Sequence, residues 1–169
     1  MTLLFAVLAL VAQATAVTVV VAALSGRRDV LRRAVGTYTL AAATAVAFTA
    51  MLGSLYLSEV ANFPPCRLCW FQRIAMYPLV PLLGLAAVRR DQEIRLYGIL
   101  LAAIGVPISI WHLLVERFPT LEGTSCDPAN PCSIIWVERF GFLTIPAMAL
   151  SGFVAIIALL SISPPSESS

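Results

Sequence analysis

Cys66 and Cys69 form a Cys-x-x-Cys pair inside Pro64-Pro-Cys-Arg-Leu-Cys-Trp-Phe-Gln-Arg73, where a loop gives way to a long apolar run. The two prolines cannot extend a helix backwards, so a helix is expected to begin near Cys66 with the second thiol, Cys69, at its N-terminus. Unpaired backbone N–H groups and the positive end of the helix dipole favour a thiolate there. Arg73, four residues past Cys69 on the same helical face, adds a fixed positive charge. An arginine inside an apolar span is costly and marks a functional candidate, here one that holds the thiolate and an anionic acceptor; snorkelling to the headgroups is the structural alternative.

The second pair, Cys126 and Cys132, sits in Thr124-Ser-Cys-Asp-Pro-Ala-Asn-Pro-Cys-Ser. Its Asp-Pro and Asn-Pro steps predict an exposed turn whose sulfurs another protein could reach, as thiol–disulfide exchange requires. Two static disulfides remain an alternative, as does a zinc site built from all four sulfurs. An oxidising compartment favours pairing over metal binding. His112 is the single histidine. It lies near the end of the next apolar run at a depth matching Arg73, so the two could flank a ring bearing two oxygens. The plain alternative is an interfacial polar residue. Trp70, Phe71, Tyr77 and Trp111 read as packing and interface anchors.

The elements that must hold these residues are membrane helices. The chain is 60% hydrophobic and 12% charged, far from a soluble domain, and its net charge of +2 gives no footing for nucleic acid. Apolar runs cover Leu3 to Leu24, Val35 to Leu57, Trp70 to Val88, Leu96 to Val115 and Leu143 to Ile162. Each approaches the ~20 residues that a helix needs to cross ~30 Å of hydrocarbon. No basic residue precedes the first run, so it is expected to be a retained span and not a cleaved signal.

Orientation follows from the arginines. Arg27, Arg28, Arg32 and Arg33 lie between the first two runs, and Arg89, Arg90 and Arg95 between the third and fourth. Those connections are expected in the cytoplasm, with the N-terminus outside, the Ser-Pro-Pro-Ser-Glu-Ser-Ser tail inside and both cysteine loops outside. Pro78, Pro81, Pro107 and Pro146 predict kinks within spans. Ile134 to Phe142 mixes aromatic, aliphatic and charged residues and is expected to lie at the membrane surface. The expected fold is therefore an all-α, five-span membrane protein.

The chain resembles the DsbB/BdbC disulfide-bond formation proteins, most nearly the BdbC-type branch. The likeness rests on Cys66-Arg-Leu-Cys-Trp-Phe-Gln-Arg-Ile-Ala-Met-Tyr-Pro78, His112, Pro131-Cys-Ser and Phe140-Gly-Phe-Leu-Thr-Ile-Pro146. It implies a four-helix catalytic bundle over residues 35–169, preceded by an added helix and basic loop over 1–34. It also implies a bacterial cytoplasmic-membrane enzyme, a protein-disulfide:quinone oxidoreductase. A DsbA-like thioredoxin-fold partner would attack the loop disulfide at Cys126. Cys132 would pass the exchange to Cys66, and Cys69 would face a quinone, menaquinone or ubiquinone, beside Arg73 and His112.

A vitamin K epoxide reductase-like protein shares this chemistry but carries its loop pair before the Cys-x-x-Cys, the reverse of the order here. A non-enzymatic membrane adaptor with structural disulfides is the alternative from another class. Arg73 and the helix-start position of Cys69 weigh against it.

Overall fold

The computed structural model of the protein describes residues 2–123 and 126–162; the polar tail, with its expected inside location, and Thr124 and Ser125 of the second cysteine motif lie outside the described residues. The first apolar run forms α1 (Thr2–Leu24), the basic stretch forms the short α2 (Arg28–Val35), and the second run forms α3 (Thr39–Leu55) with a π-helical turn over Tyr56–Val60. The third run divides into α4 (Arg67–Met76) and α5 (Leu79–Arg89), followed by α6 (Ile94–Arg117) and, after a long connection, α7 (Ile145–Leu160).

Four stretches, Leu3–Ala22, Asp29–Val60, Arg67–Arg89 and Ile94–Arg117, are long and apolar enough to cross a membrane, which marks a multi-pass membrane protein. The fifth expected run is shorter as a helix. Its 16 residues reach about 24 Å at ~1.5 Å per residue, less than the ~30 Å hydrocarbon core. Leu143 and Thr144 are taken instead by a strand. That strand, β2 (Leu143–Thr144), pairs antiparallel with β1 (Glu138–Arg139), so the all-α expectation holds except for one short ribbon. Its turn puts Phe140 at φ 55° and Gly141 at φ 75°. Glycine takes that region without steric cost, whereas phenylalanine does not.

The prolines act unequally. Pro78 separates α4 from α5, and Pro107 sits inside an otherwise continuous α6. Pro146 was expected to kink a span, but it stands at the second position of α7. Its missing N–H has no helical partner there, so it starts the helix without bending it.

The main core joins α3, α5, α6 and α7 through Leu40, Ala43, Leu79, Leu83, Ala102, Phe153 and Ile156. Close approach of α6 to α7 depends on Gly105, where a Cβ would stand 2.2 Å from the Phe153 ring. α1 packs along α7 through Ala16 and Val19 against Ala158 and Ile162. Gln13 Nε2 adds a 2.8 Å hydrogen bond to Ser151 Oγ between the same helices.

Arg95, read from sequence only as a loop charge, is buried. Its Nη1 donates to the carbonyls of Leu160 and Ile162 at 3.0 and 2.7 Å, and Nη2 donates to Thr39 Oγ1. One guanidinium thereby satisfies carbonyls left over at the end of α7 and ties them to the start of α3. The arginine-rich connections gather at this end of the bundle, opposite the four cysteines.

Candidate active site

Cys66 is the N-cap of α4, with extended backbone at φ −70° and ψ 172°. Behind it Pro64 and Pro65 block helix extension, and the first helical bond runs from Trp70 N to Cys66 O at 3.1 Å. The helix starts at Cys66 as expected, but the sulfur it serves is the first of the pair and not the second. Cys66 Sγ, not Cys69 Sγ, accepts the free backbone N–H, from Cys69 N at 3.3 Å. The two sulfurs are unbonded and 2.9 Å apart. With a hydrogen bond from Cys69 as the main cause and His112 assisting against the opposing effect of burial, the Cys66 thiol is pulled from 9.0 down to about 5.

His112 stands on the far side of Cys66. Its Nε2 lies 3.6 Å from Cys66 Sγ and 3.2 Å from the Cys132 carbonyl oxygen. A donor at that nitrogen serves both acceptors, and Nδ1 is buried without a hydrogen-bond partner among the described residues. The register that delivers His112 here comes from Gln72 Nε2 donating to Ser109 Oγ at 3.1 Å, which locks α4 to α6.

Cys126 and Cys132 form a disulfide. No helix separates them; Asp127 closes a turn by accepting from Ala129 N at 2.9 Å. The loop surface is exposed as expected, but its sulfurs are not: Cys126 is 7% and Cys132 1% accessible. Three contacts hold them down. Glu122 accepts from Cys132 N through Oε1 and from Ser133 Oγ through Oε2, and Asn130 Nδ2 donates to Pro65 O at 3.1 Å. The last bond docks the loop on the approach to the first pair, so Cys66, Cys126 and Cys132 share one buried cluster with Leu68 and Val115. Cys126 also borders a surface depression edged by Pro65, Arg67, Trp70, Asp127 and Asn130.

On the other side of the first pair, Cys69 and Arg73 line an apolar cavity of about 410 Å³ between α1, α3, α4 and α7. Arg73 is 8% accessible. It donates from Nε to Ser54 Oγ and from Nη2 to Ser54 O, both at 2.9 Å, and lies 5.1 Å from the Trp70 ring centre. Among the described residues no carboxylate is within ion-pair range of it. Where Arg73 takes the Ser54 carbonyl, α3 widens into its π turn, with Ala61 N bonding to Tyr56 O at 3.0 Å. Phe63 stacks on Trp136 at 5.3 Å, and both line the cavity.

The expected pairing of Arg73 with His112 around one ring is not what the geometry presents. Arg73 and Cys69 face the cavity, whereas His112 faces Cys66 and the loop disulfide. Tyr77, taken from sequence as an anchor, lines the cavity and lies 6.0 Å from the Arg73 guanidinium. Ser54 and Glu122 gave no sequence signal, because a serine and an acid at those positions are ordinary until the fold brings them to an arginine or a cysteine loop, and Trp136, read only as part of a membrane-surface stretch, lines the cavity. For metal binding, Cys66, Cys69 and His112 offer donor atoms within 4.8 Å of one another. A site using four sulfurs would first need the Cys126 to Cys132 bond broken.

Two comparisons bear on this arrangement. The family model for "Disulfide bond formation protein DsbB" matches residues 36–162. The chain belongs to the DsbB family. Disulfide bond formation protein C of Bacillus subtilis (strain 168) is 47% identical over 122 residues, covering 72% of this chain and 88% of that one. Probable disulfide formation protein C 2 of Bacillus anthracis is 43% identical over 126 residues, covering 75% of this chain and 90% of that one. No solved structure matches the chain. Membership of the DsbB family assigns it a general role in disulfide bond formation and implies oxidoreductase chemistry.

Proposed function

We propose that the protein reoxidises a DsbA-like thioredoxin-fold dithiol protein outside the cell and passes two electrons to a membrane quinone. It would do so as a multi-pass enzyme of the bacterial cytoplasmic membrane, with residues 35–169 as the catalytic unit. The observation that carries this reading is the two-sidedness of the Cys-x-x-Cys turn. Cys66 packs with the loop disulfide while Cys69 opens onto an apolar cavity that contains a buried arginine.

In the first half-reaction a thiolate of the partner attacks Cys126, the more accessible loop sulfur and the one bordering a surface depression. The Cys126–Cys132 bond breaks and a mixed disulfide forms. The partner's second thiolate then displaces Cys126, and the loop is left as a dithiol. When Cys66 and Cys69 are bonded, the Cys132 thiolate attacks Cys66 and releases Cys69 as a thiolate. His112 Nε2, near both Cys66 Sγ and the Cys132 carbonyl, is positioned to donate to whichever thiolate is present at Cys66. Once Cys126 attacks Cys132, the loop disulfide reforms and Cys66 and Cys69 are both reduced.

The cavity fits a quinone by chemistry: an apolar volume of about 410 Å³, within the usual ligand range of about 300–1,000 Å³, with a guanidinium and a sulfur at its polar end. A bound quinone would supply the two-electron acceptor that lets the Cys66–Cys69 disulfide reform. Arg73 would hold an acceptor oxygen, and Ser54 fixes the guanidinium for that task. A DsbA-like partner with a potential near about −120 mV is too oxidising for glutathione to recharge, which is why a stronger acceptor is required.

The test is anaerobic mixing of the purified, folded protein with a reduced thioredoxin-fold dithiol protein and quinone, following quinol formation. Quinol is expected in proportion to dithiol consumed. Consumption of no dithiol and formation of no quinol by folded wild-type protein would remove the enzymatic reading and favour the adaptor.

A further inference from the structure

The helix α1 lies wholly before the residues matched by the family, yet Phe5, Leu8, Val11 and Thr15 line the same cavity as Cys69 and Arg73. Resting on the quinone reading above, we propose that α1 is the lipid-side wall of the acceptor site and that the seam between α1 and α3 receives the acceptor's isoprenoid tail.

The packing of α1 is lopsided. It runs along α7 with far more extensive contact than it makes with α3. Against α7 pack the buried residues Ala6, Ala9 and Ala16, joined by the Gln13 to Ser151 hydrogen bond. Small residues let membrane helices approach closely, and a side-chain hydrogen bond between them fixes their rotation.

Toward α3 the main meeting point is Phe5. Its ring stands 3.1 Å from where a Cβ on Gly53 would be, and 5.9 Å from the Tyr56 ring. Beyond that pin, Leu8 and Val11 of α1 and Val46 and Thr49 of α3 line the cavity without closing it. Val11 is 57% accessible, so the seam opens sideways to where acyl chains would lie. A long apolar chain fits this slot because the polar end of the same cavity already carries Cys69 and Arg73, which would hold a ring at its head.

Calorimetric binding separates the two parts of such a ligand. A quinone with an isoprenoid tail and the same ring without one are titrated into wild type, Leu8→Trp, Val11→Trp and Val17→Trp in detergent. Val17 is exposed on α1 but does not line the cavity. Either slot variant is expected to weaken the tailed quinone about ten-fold, equivalent to the burial of roughly two methylenes. Tailless binding should be unchanged, and Val17→Trp should alter neither.

Unaltered tailed binding in both folded slot variants would overturn the inference, as would equal weakening by Val17→Trp. Displacement of the tailed quinone by a phospholipid with acyl chains alone, at equal concentration, would make the seam a lipid seat and also overturn it. Failure of wild type to bind either quinone would instead sink the quinone reading itself.

Discussion

At the scale of single residues, the paired sulfurs divide their labour by position. Cys66 receives the helix-start N–H and the His112 contact, so its thiolate should persist in the dithiol form to about pH 5. The sign follows from linkage: a thiol held below its unfolded value stabilises the folded dithiol fully above that value, and the gain fades as pH falls through the folded one. Titration of ultraviolet thiolate absorbance in the dithiol form is expected to show a midpoint near 5. His112→Ala should move that midpoint upward, since its hydrogen bond to Cys66 favours the anion. Cys69→Ser is expected to lower quinol formation by at least about 1,000-fold, because the step has no second nucleophile to replace it. Ser54→Ala should act more mildly. It removes the Nε contact and leaves Nη2 on the backbone carbonyl of residue 54, so the loosened Arg73 guanidinium should raise the KM for quinone about two- to ten-fold at little cost in kcat, as loss of one hydrogen bond of about 0.5–1.5 kcal/mol predicts.

At the scale of elements, two contacts set how the helices meet. Gly105→Ala would drive a methyl into the Phe153 ring from 2.2 Å. Overpacking of this kind costs about 1–3 kcal/mol, and the thermal unfolding midpoint in detergent should fall accordingly. Arg95→Met takes the donor from the Leu160 carbonyl and leaves the Ile162 carbonyl only a 3.4 Å bond from Thr39 Oγ1, while removing a buried charge. A loss of about 1–3 kcal/mol is expected from the unsatisfied carbonyl, again read from thermal unfolding. The ribbon of β1 and β2 shortens the last helix but serves the site: the segment before it carries Trp136 to its stack on Phe63 in the cavity wall.

At the scale of the whole molecule, the bundle separates its ends by chemistry. The four cysteines converge at one end, and the arginine-bearing connections with the Arg95 clamp lie at the other. With basic loops retained in the cytoplasm, a cysteine introduced at Ala129 in a variant lacking the native four is expected to react with an impermeant maleimide in intact cells. One introduced at Glu93, exposed in the connection between α5 and α6, should react only after lysis. The reverse pattern would invert the orientation and move the site away from any extracytoplasmic partner.

The membrane class, the helix start at the Cys-x-x-Cys and the family were legible in the chain itself, because span length, proline blocks and motif spacing are local properties of sequence. The choice of Cys66 over Cys69 as the capping sulfur needed backbone angles, and the burial of Cys126 and Cys132 needed Glu122 and Asn130 to reach them through space. Arg73 and His112 looked like partners because depth along a helix can be counted from sequence. Which way each side chain faces around its helix depends on neighbours distant in the chain, and that rotation put one beside the cavity and the other beside the disulfide. The part played by α1 was unreadable for the same reason: an apolar helix matches lipid and protein equally well, and only its packing on α7 made it a wall.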